Sequence, residues 1–116
     1  IDNLYKTKEK VKLGEMQKNQ ANDALTLTQQ NIDMNVNASY IKYQEAIQQA
    51  DILNDAKRLA DENYKITEAK YLNQLAVQAE MIDAQNQKLQ SELDFANAEI
   101  NVLYQYYNLL KSTGTL

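Results

Sequence analysis

Apolar and small residues follow one another at alternating intervals of three and four along much of this chain. Between residues 32 and 71 the series consists of Ile32, Val36, Ser39, Tyr43, Ala46, Ala50, Leu53, Ala60, Tyr64, Thr67 and Tyr71, with one gap at Lys57. This is the heptad spacing of a helix that packs against a neighbour along one side. The pattern therefore predicts a long coiled-coil helix.

A second series repeats every seven residues and predicts a second helix with its own seam. Its members are Leu75, Ile82, Leu89, Ala96, Leu103 and Leu110, with Leu93, Ile100 and Tyr107 at the intermediate positions. We expect residues 1–116 to form a single all-α unit, a long antiparallel coiled-coil hairpin. Its helices would span about 2–72 and about 77–112, joined by a tip turn at about 73–76. The first seam before residue 36 then has no partner in the chain, so something else must cover it.

The composition supports helices and argues against several functions. The chain has no Pro, Cys, His or Trp, and its two glycines are Gly14 and Gly114, the second a left-handed residue in the exit from the return helix. Without His or Cys, and with carboxylates spread along helices, we expect no enzyme, no cofactor and no metal site. The net charge is −4 and the lysines are scattered, so we expect no nucleic-acid partner.

Four stretches of the chain stand out as motifs. They are the spacing of Gln30, Ile32, Val36, Ala38 and Tyr40; residues 63–66 followed by Lys70 and Tyr71; the tip with residues 80–85, Glu-Met-Ile-Asp-Ala-Gln; and residues 109–116. Together they resemble the TolC family of outer membrane efflux proteins: the first is a weak likeness, the second is stronger, the tip with residues 80–85 is the strongest, and residues 109–116 resemble the end of the family's repeat. Two positions depart from the family: Gln74 replaces the usual tip glycine, and Ala76 stands where some members carry a basic latch residue.

The resemblance implies a segment of a periplasmic α-helical barrel, from one repeat, and it favours the second repeat over the first. The parent would be a homotrimer in the outer membrane of a Gram-negative bacterium. This segment would lie in the periplasm, without the parent's β-barrel strands and other repeat. The channel would be a passive export duct that meets a periplasmic adaptor protein and an inner membrane pump. The isolated segment is expected to self-associate through the uncovered first half of the first helix.

The resemblance also assigns roles at the tip. Tyr71, Glu80 and Asp83 match pore-constricting positions, and threefold symmetry would turn each acid into a ring of carboxylates that favours cations. The candidates for the tip turn and the adaptor contact are Leu72, Asn73, Gln74, Leu75 and Ala76. For the turn, either Gln74 uses an ordinary backbone conformation or Asn73 takes the left-handed position.

A purely structural function is the alternative to the channel function. The chain would then be a coiled-coil hairpin, of a pump adaptor or of an unrelated scaffold, whose function is only to bind partners. Glu80 and Asp83 would be solvated acids placed by the helix dipole. The channel reading predicts an effect of these acids on conductance, and the scaffold reading predicts none.

Overall fold

The computed structural model describes residues 2–115, and of Asp2 the backbone alone; Ile1 and Leu116, which ends the repeat-like close, lie outside the described residues. Two helices account for almost all of the described chain: α1 (Asp2–Leu72) and α2 (Gln78–Ser112). The expected all-α class is confirmed. The predicted bounds were about 2–72 and about 77–112, and Val77 is the N-cap of α2 instead of its first helical residue.

The chain divides into an N-terminal unit, Ile1–Asn37, and a hairpin unit, Ala38–Leu116. In the N-terminal unit every residue from Asn3 to Asn35 is exposed. Its heptad-spaced apolar side chains, which we call the N-terminal stripe, are Leu4, Val11, Leu25 and Ile32, and none of them packs on another part of this unit.

In the hairpin unit, α2 runs antiparallel to the second half of α1. Three contacts fix the register: the rings of Tyr43 and Tyr106 lie 5.7 Å apart, Lys57 Nζ lies 5.1 Å from the centre of the Phe95 ring, and Lys88 Nζ lies 3.3 Å from Asp61 Oδ1. In each pair the residue number falls on one helix as it rises on the other, as an antiparallel pair requires.

On α1, the side turned towards α2 is the one that the spacing predicts. Within the hairpin unit its half-buried and buried members run from Ser39 to Thr67 and include Lys57, the gap in the predicted series. Lys57 fills this position because its ammonium group lies over the Phe95 ring. The two ends of the predicted series, Ile32 and Tyr71, are exposed.

On α2, the side turned towards α1 differs from the predicted series. The covered positions at heptad spacing are Met81, Ala84, Lys88, Ser91, Phe95, Ala98, Val102, Gln105, Leu109 and Ser112, which we call the inner seam. Glu92, Asp94, Asn108 and Leu110 are half-buried as well, and Leu110 belongs to the predicted series. The predicted residues Ile82, Leu89, Leu93, Ile100, Leu103 and Tyr107 are all exposed, and we call them the outer seam. With about 100° per residue, the outer seam is turned by about 150° from the inner one.

Small residues occupy the closest part of the hairpin. Ala46, Ala84 and Ala98 are the buried core, with exposed fractions of 4%, 3% and 8%. Short side chains let two helix backbones approach closely, which explains why the inner seam of α2 selects Ala84, Ser91 and Ala98 over the larger residues beside them. Ile82, Leu89 and Leu103 are consequently left on the outside.

Candidate functional site

The tip of the hairpin begins with a Schellman motif at the end of α1. The amide of Gln74 donates to the carbonyl of Tyr71 at 3.0 Å, and the amide of Leu75 donates to the carbonyl of Lys70 at 2.7 Å. These are the two bonds of this motif, in which the residue one past the C-cap adopts the left-handed conformation. That residue is Gln74, with φ of 61°.

Both alternatives considered for this turn are therefore wrong. Gln74 does not use an ordinary conformation, and Asn73 does not take the left-handed position. Asn73 instead caps the helix end: its side-chain Nδ2 and its backbone amide both donate to the carbonyl of Ala69, at 2.8 and 3.1 Å. At the end of α2, Gly114 forms the same motif with φ of 75°, as its sequence position predicts.

The tip side chains form an exposed apolar cluster. Tyr71, Leu72, Leu75 and Val77 are all exposed, and Ala76 is half-buried. Asn73 and Gln74 are exposed as well, so the five candidates for the turn, residues 72–76, do lie together at the tip. Val77 was not among the predicted candidates, although its place directly after them in the sequence could have indicated it.

The N-cap residue of α2 makes no side-chain capping hydrogen bond. Val77 has extended angles, φ of −88° and ψ of 161°, but it offers no side-chain oxygen to the free amides of the first turn. Its carbonyl accepts from the amides of Glu80 and Met81 at 3.1 and 3.3 Å. The carboxylate of Glu80 lies in the first turn, where the helix dipole favours negative charge.

Glu80 and Asp83 share one exposed side of α2, because residues three apart on a helix are neighbours. Tyr71 lies on the other helix of the hairpin, close to the turn, and is also exposed. The structure thus places all three predicted constriction residues near the tip and leaves them accessible. No hydrogen bond or ion pair between them is present within the described chain.

A second polar cluster, which sequence reasoning missed, joins the two helices away from the tip. Asp61 Oδ2 lies 3.2 Å from Lys65 Nζ, and its Oδ1 pairs with Lys88. Lys88 Nζ also lies 4.7 Å from the centre of the Tyr64 ring. The bonds from Lys65 and then from Lys88 lower the pKa of Asp61 below its ordinary value of 3.8. Only the register of the hairpin reveals this cluster, because Asp61 and Lys88 are far apart in sequence.

A membrane-spanning helix and a metal site are two further features that would bear on function. No helix in residues 2–115 is both long enough and apolar enough to cross a membrane. Nor does that part of the chain bring together three or more His, Cys, Asp or Glu side chains able to hold a metal ion.

Comparison with protein-family models gave no match, and comparisons with curated proteins and with solved structures gave none either. The likeness to TolC-type proteins therefore depends on the residues quoted above.

Proposed function

We propose that this chain is a periplasmic tunnel segment of a trimeric outer membrane efflux channel of the TolC type, from the second repeat. The channel would be a passive export duct, coupled through a periplasmic adaptor to an inner membrane pump. The observation that carries the proposal is the tip. Its apolar side chains are exposed, and two neighbouring acids at the start of α2 are accessible on one side.

The two seams of α2 support the same proposal. A helix in a closed wall of helices has a neighbour on each side, and it needs a packing surface for both. The inner seam packs on α1, and the outer seam presents large apolar residues at heptad spacing on a nearly opposite side. In the proposed wall, a neighbouring hairpin covers the outer seam.

At the tip, we propose that Glu80 and Asp83 line the narrow end of the duct and that Tyr71 makes constricting contacts with neighbouring hairpins. Three copies around one axis would give two rings of carboxylates, and their field attracts cations and repels anions. Residues 72–76 would meet the adaptor, because exposed apolar side chains at the end of a rigid hairpin offer the desolvated contacts that protein interfaces use.

The test is bilayer conductance of the full-length parent. The double variant Glu80→Gln, Asp83→Asn removes both rings with little change in side-chain size, so we expect lower cation selectivity and weaker block by multivalent cations. Asp51→Asn with Asp55→Asn, two exposed acids of α1 remote from the tip, is the matched control. Unchanged selectivity and block in the tip variant would remove these acids from the pore.

A partner-binding coiled-coil hairpin is the second candidate, and the exposed apolar cluster at the tip supports it, whereas the two accessible acids at the start of α2 favour the channel. Under this function Leu72→Glu and Leu75→Glu would abolish binding of a partner. Neutralising Glu80 and Asp83 would change neither bilayer conductance nor cation selectivity. The conductance experiment therefore separates the two functions.

A further inference from the structure

The chain carries two uncovered apolar surfaces with the same period. The N-terminal stripe repeats from Leu4 to Ile32, and the outer seam of α2 repeats from Ile82 to Tyr107. Both continue for about four heptads, so one surface can run alongside the other over its whole length. We propose that a second copy of this chain covers them, with the N-terminal stripe of one copy packed on the outer seam of the other. This inference concerns copies of the chain on its own and describes an arrangement different from the threefold wall of the proposed channel.

The two surfaces have complementary shapes. The outer seam has large side chains at both of its heptad positions, for example Leu89 and Leu93. Three residues after Leu4, Val11 and Leu25 of the N-terminal stripe come the small residues Thr7, Gly14 and Thr28, and Ala21 lies three residues after the gap at Lys18. Large knobs on one helix need such shallow holes on the other.

This arrangement explains why residue 14 is a glycine. No contact among the described residues of its own chain does so. Glycine is the least favourable helix-interior residue after proline. A Cβ at this position would meet no atom within 4 Å, so nothing in the chain's own structure requires a glycine there. A second helix that lies against the stripe would approach this backbone closely, and glycine permits that approach.

The charges are complementary as well. Residues 3–18 contain five lysines and two glutamates, a net charge of +3, and residues 80–96 contain four acids and Lys88, a net charge of −3. A parallel alignment that places Val11 beside Leu89 brings these two segments together and sets the gap at Lys18 beside the small Ala96. The antiparallel alignment that places Val11 beside Leu103 sets the basic segment beside residues 96–111, whose charged residues are Glu99 and Lys111, a net charge of zero. Opposite charge therefore favours the parallel alignment.

The size of the outer seam also suits an interface between proteins. Its six large side chains are 48–63% exposed, which at roughly 60–120 Å² per side chain amounts to several hundred Å² of apolar surface. That is near the largest apolar patch usual on a monomer, and it approaches the roughly 800 Å² that each partner buries in a stable complex.

The experiment measures the association of the full chain by sedimentation equilibrium. Leu25→Glu places a charge on the stripe and Leu103→Glu places one on the outer seam. Ile52→Glu is the control, because Ile52 is as exposed as Leu103 but belongs to neither surface. We expect Leu25→Glu and Leu103→Glu each to raise the dissociation constant about tenfold or more. Ile52→Glu should leave it within about twofold. High salt should also weaken the wild-type complex.

The pattern of effects separates this pairing from its alternatives. If only Leu25→Glu weakens association, the stripe pairs with itself; if only Leu103→Glu does, the outer seam pairs with itself. Either result, or no effect of both, overturns the proposal. Circular dichroism shows whether each variant keeps its helices.

Disulfide trapping tests the alignment with milder changes, because the chain has no cysteine of its own. A mixture of Val11→Cys and Leu89→Cys chains should form the mixed disulfide faster than a mixture of Val11→Cys and Leu103→Cys chains. The reverse order would overturn the parallel alignment, and no mixed disulfide in either mixture would overturn the pairing.

Discussion

At the scale of single residues, Gln74 is where local geometry overrides residue preference. The hydrogen bonds that close the end of α1 require a left-handed residue at position 74, whatever side chain it carries. Glycine adopts this conformation freely, as Gly114 does at the end of α2, whereas an L-residue with a Cβ is strained by about 1–2 kcal/mol. The turn therefore holds strain that the chain tolerates.

Replacing Gln74 by glycine should stabilise the hairpin. The relief of strain is partly offset by the greater freedom of glycine in the unfolded chain, about 0.4–1 kcal/mol, so we expect a net gain of up to about 1 kcal/mol in the free energy of unfolding. Urea unfolding followed by circular dichroism measures this change. As a control, Gln90→Gly lies inside α2 and should cost about 1 kcal/mol. Loss of stability in Gln74→Gly would show that the side chain matters more than the strain.

At the scale of helices, the sequence predicts the two elements and their ends well because heptad spacing and the absence of proline are strong signals. The side of α1 that faces α2 is also predicted, from Ser39 to Thr67. The side of α2 is not, because apolar periodicity selects large residues such as Leu89, while close helix approach selects small ones such as Ala84. Which of two heptad series faces inward depends on the partner helix, and one sequence segment does not contain that information.

The same limit applies to the candidate site. The sequence correctly places the turn after Leu72. It does not reveal the pairing of Asp61 with Lys88, which requires the register between helices. Nor does the sequence identify the left-handed residue of the turn. Residue preference alone favours Asn73, and only the hydrogen bonds of the folded turn identify Gln74.

The ion pairs of Asp61 should make the hairpin sensitive to acid. Because the folded-state pKa lies below the ordinary value of 3.8, the stabilisation is complete above that value and is lost as the pH falls through the lower folded-state pKa. We expect Asp61→Asn to lower stability at pH 7 and to approach the wild type as the pH falls well below 3.8. Urea unfolding at pH 7 and in this acid range tests this, with Asp55→Asn, an exposed acid on the same helix, as control. An equal deficit at both pH values would mean that the substitution acts through packing and not through charge.

At the scale of the whole molecule, the two units differ in what supports their helices. In the hairpin unit, α2 covers one side of α1, and small residues, rings and ion pairs join the two. In the N-terminal unit, residues 3–35 are exposed throughout. Helices in water owe most of their stability to packing, so local opening should concentrate in the N-terminal unit whenever its stripe is uncovered.

Limited trypsin digestion should reveal this difference, and it should depend on protein concentration. In dilute solution we expect the first cuts between Lys6 and Lys18, ahead of those at Lys57 and Lys88, which are half-buried in the hairpin. At concentrations where a second copy covers the N-terminal stripe, the early cuts should slow, while in Leu103→Glu they should stay fast. Mass spectrometry of the first fragments reads out the order. First cuts at Lys57 or Lys88 would contradict the ranking of the two units, and protection that persists in Leu103→Glu would mean that the stripe is covered by something other than the outer seam of α2.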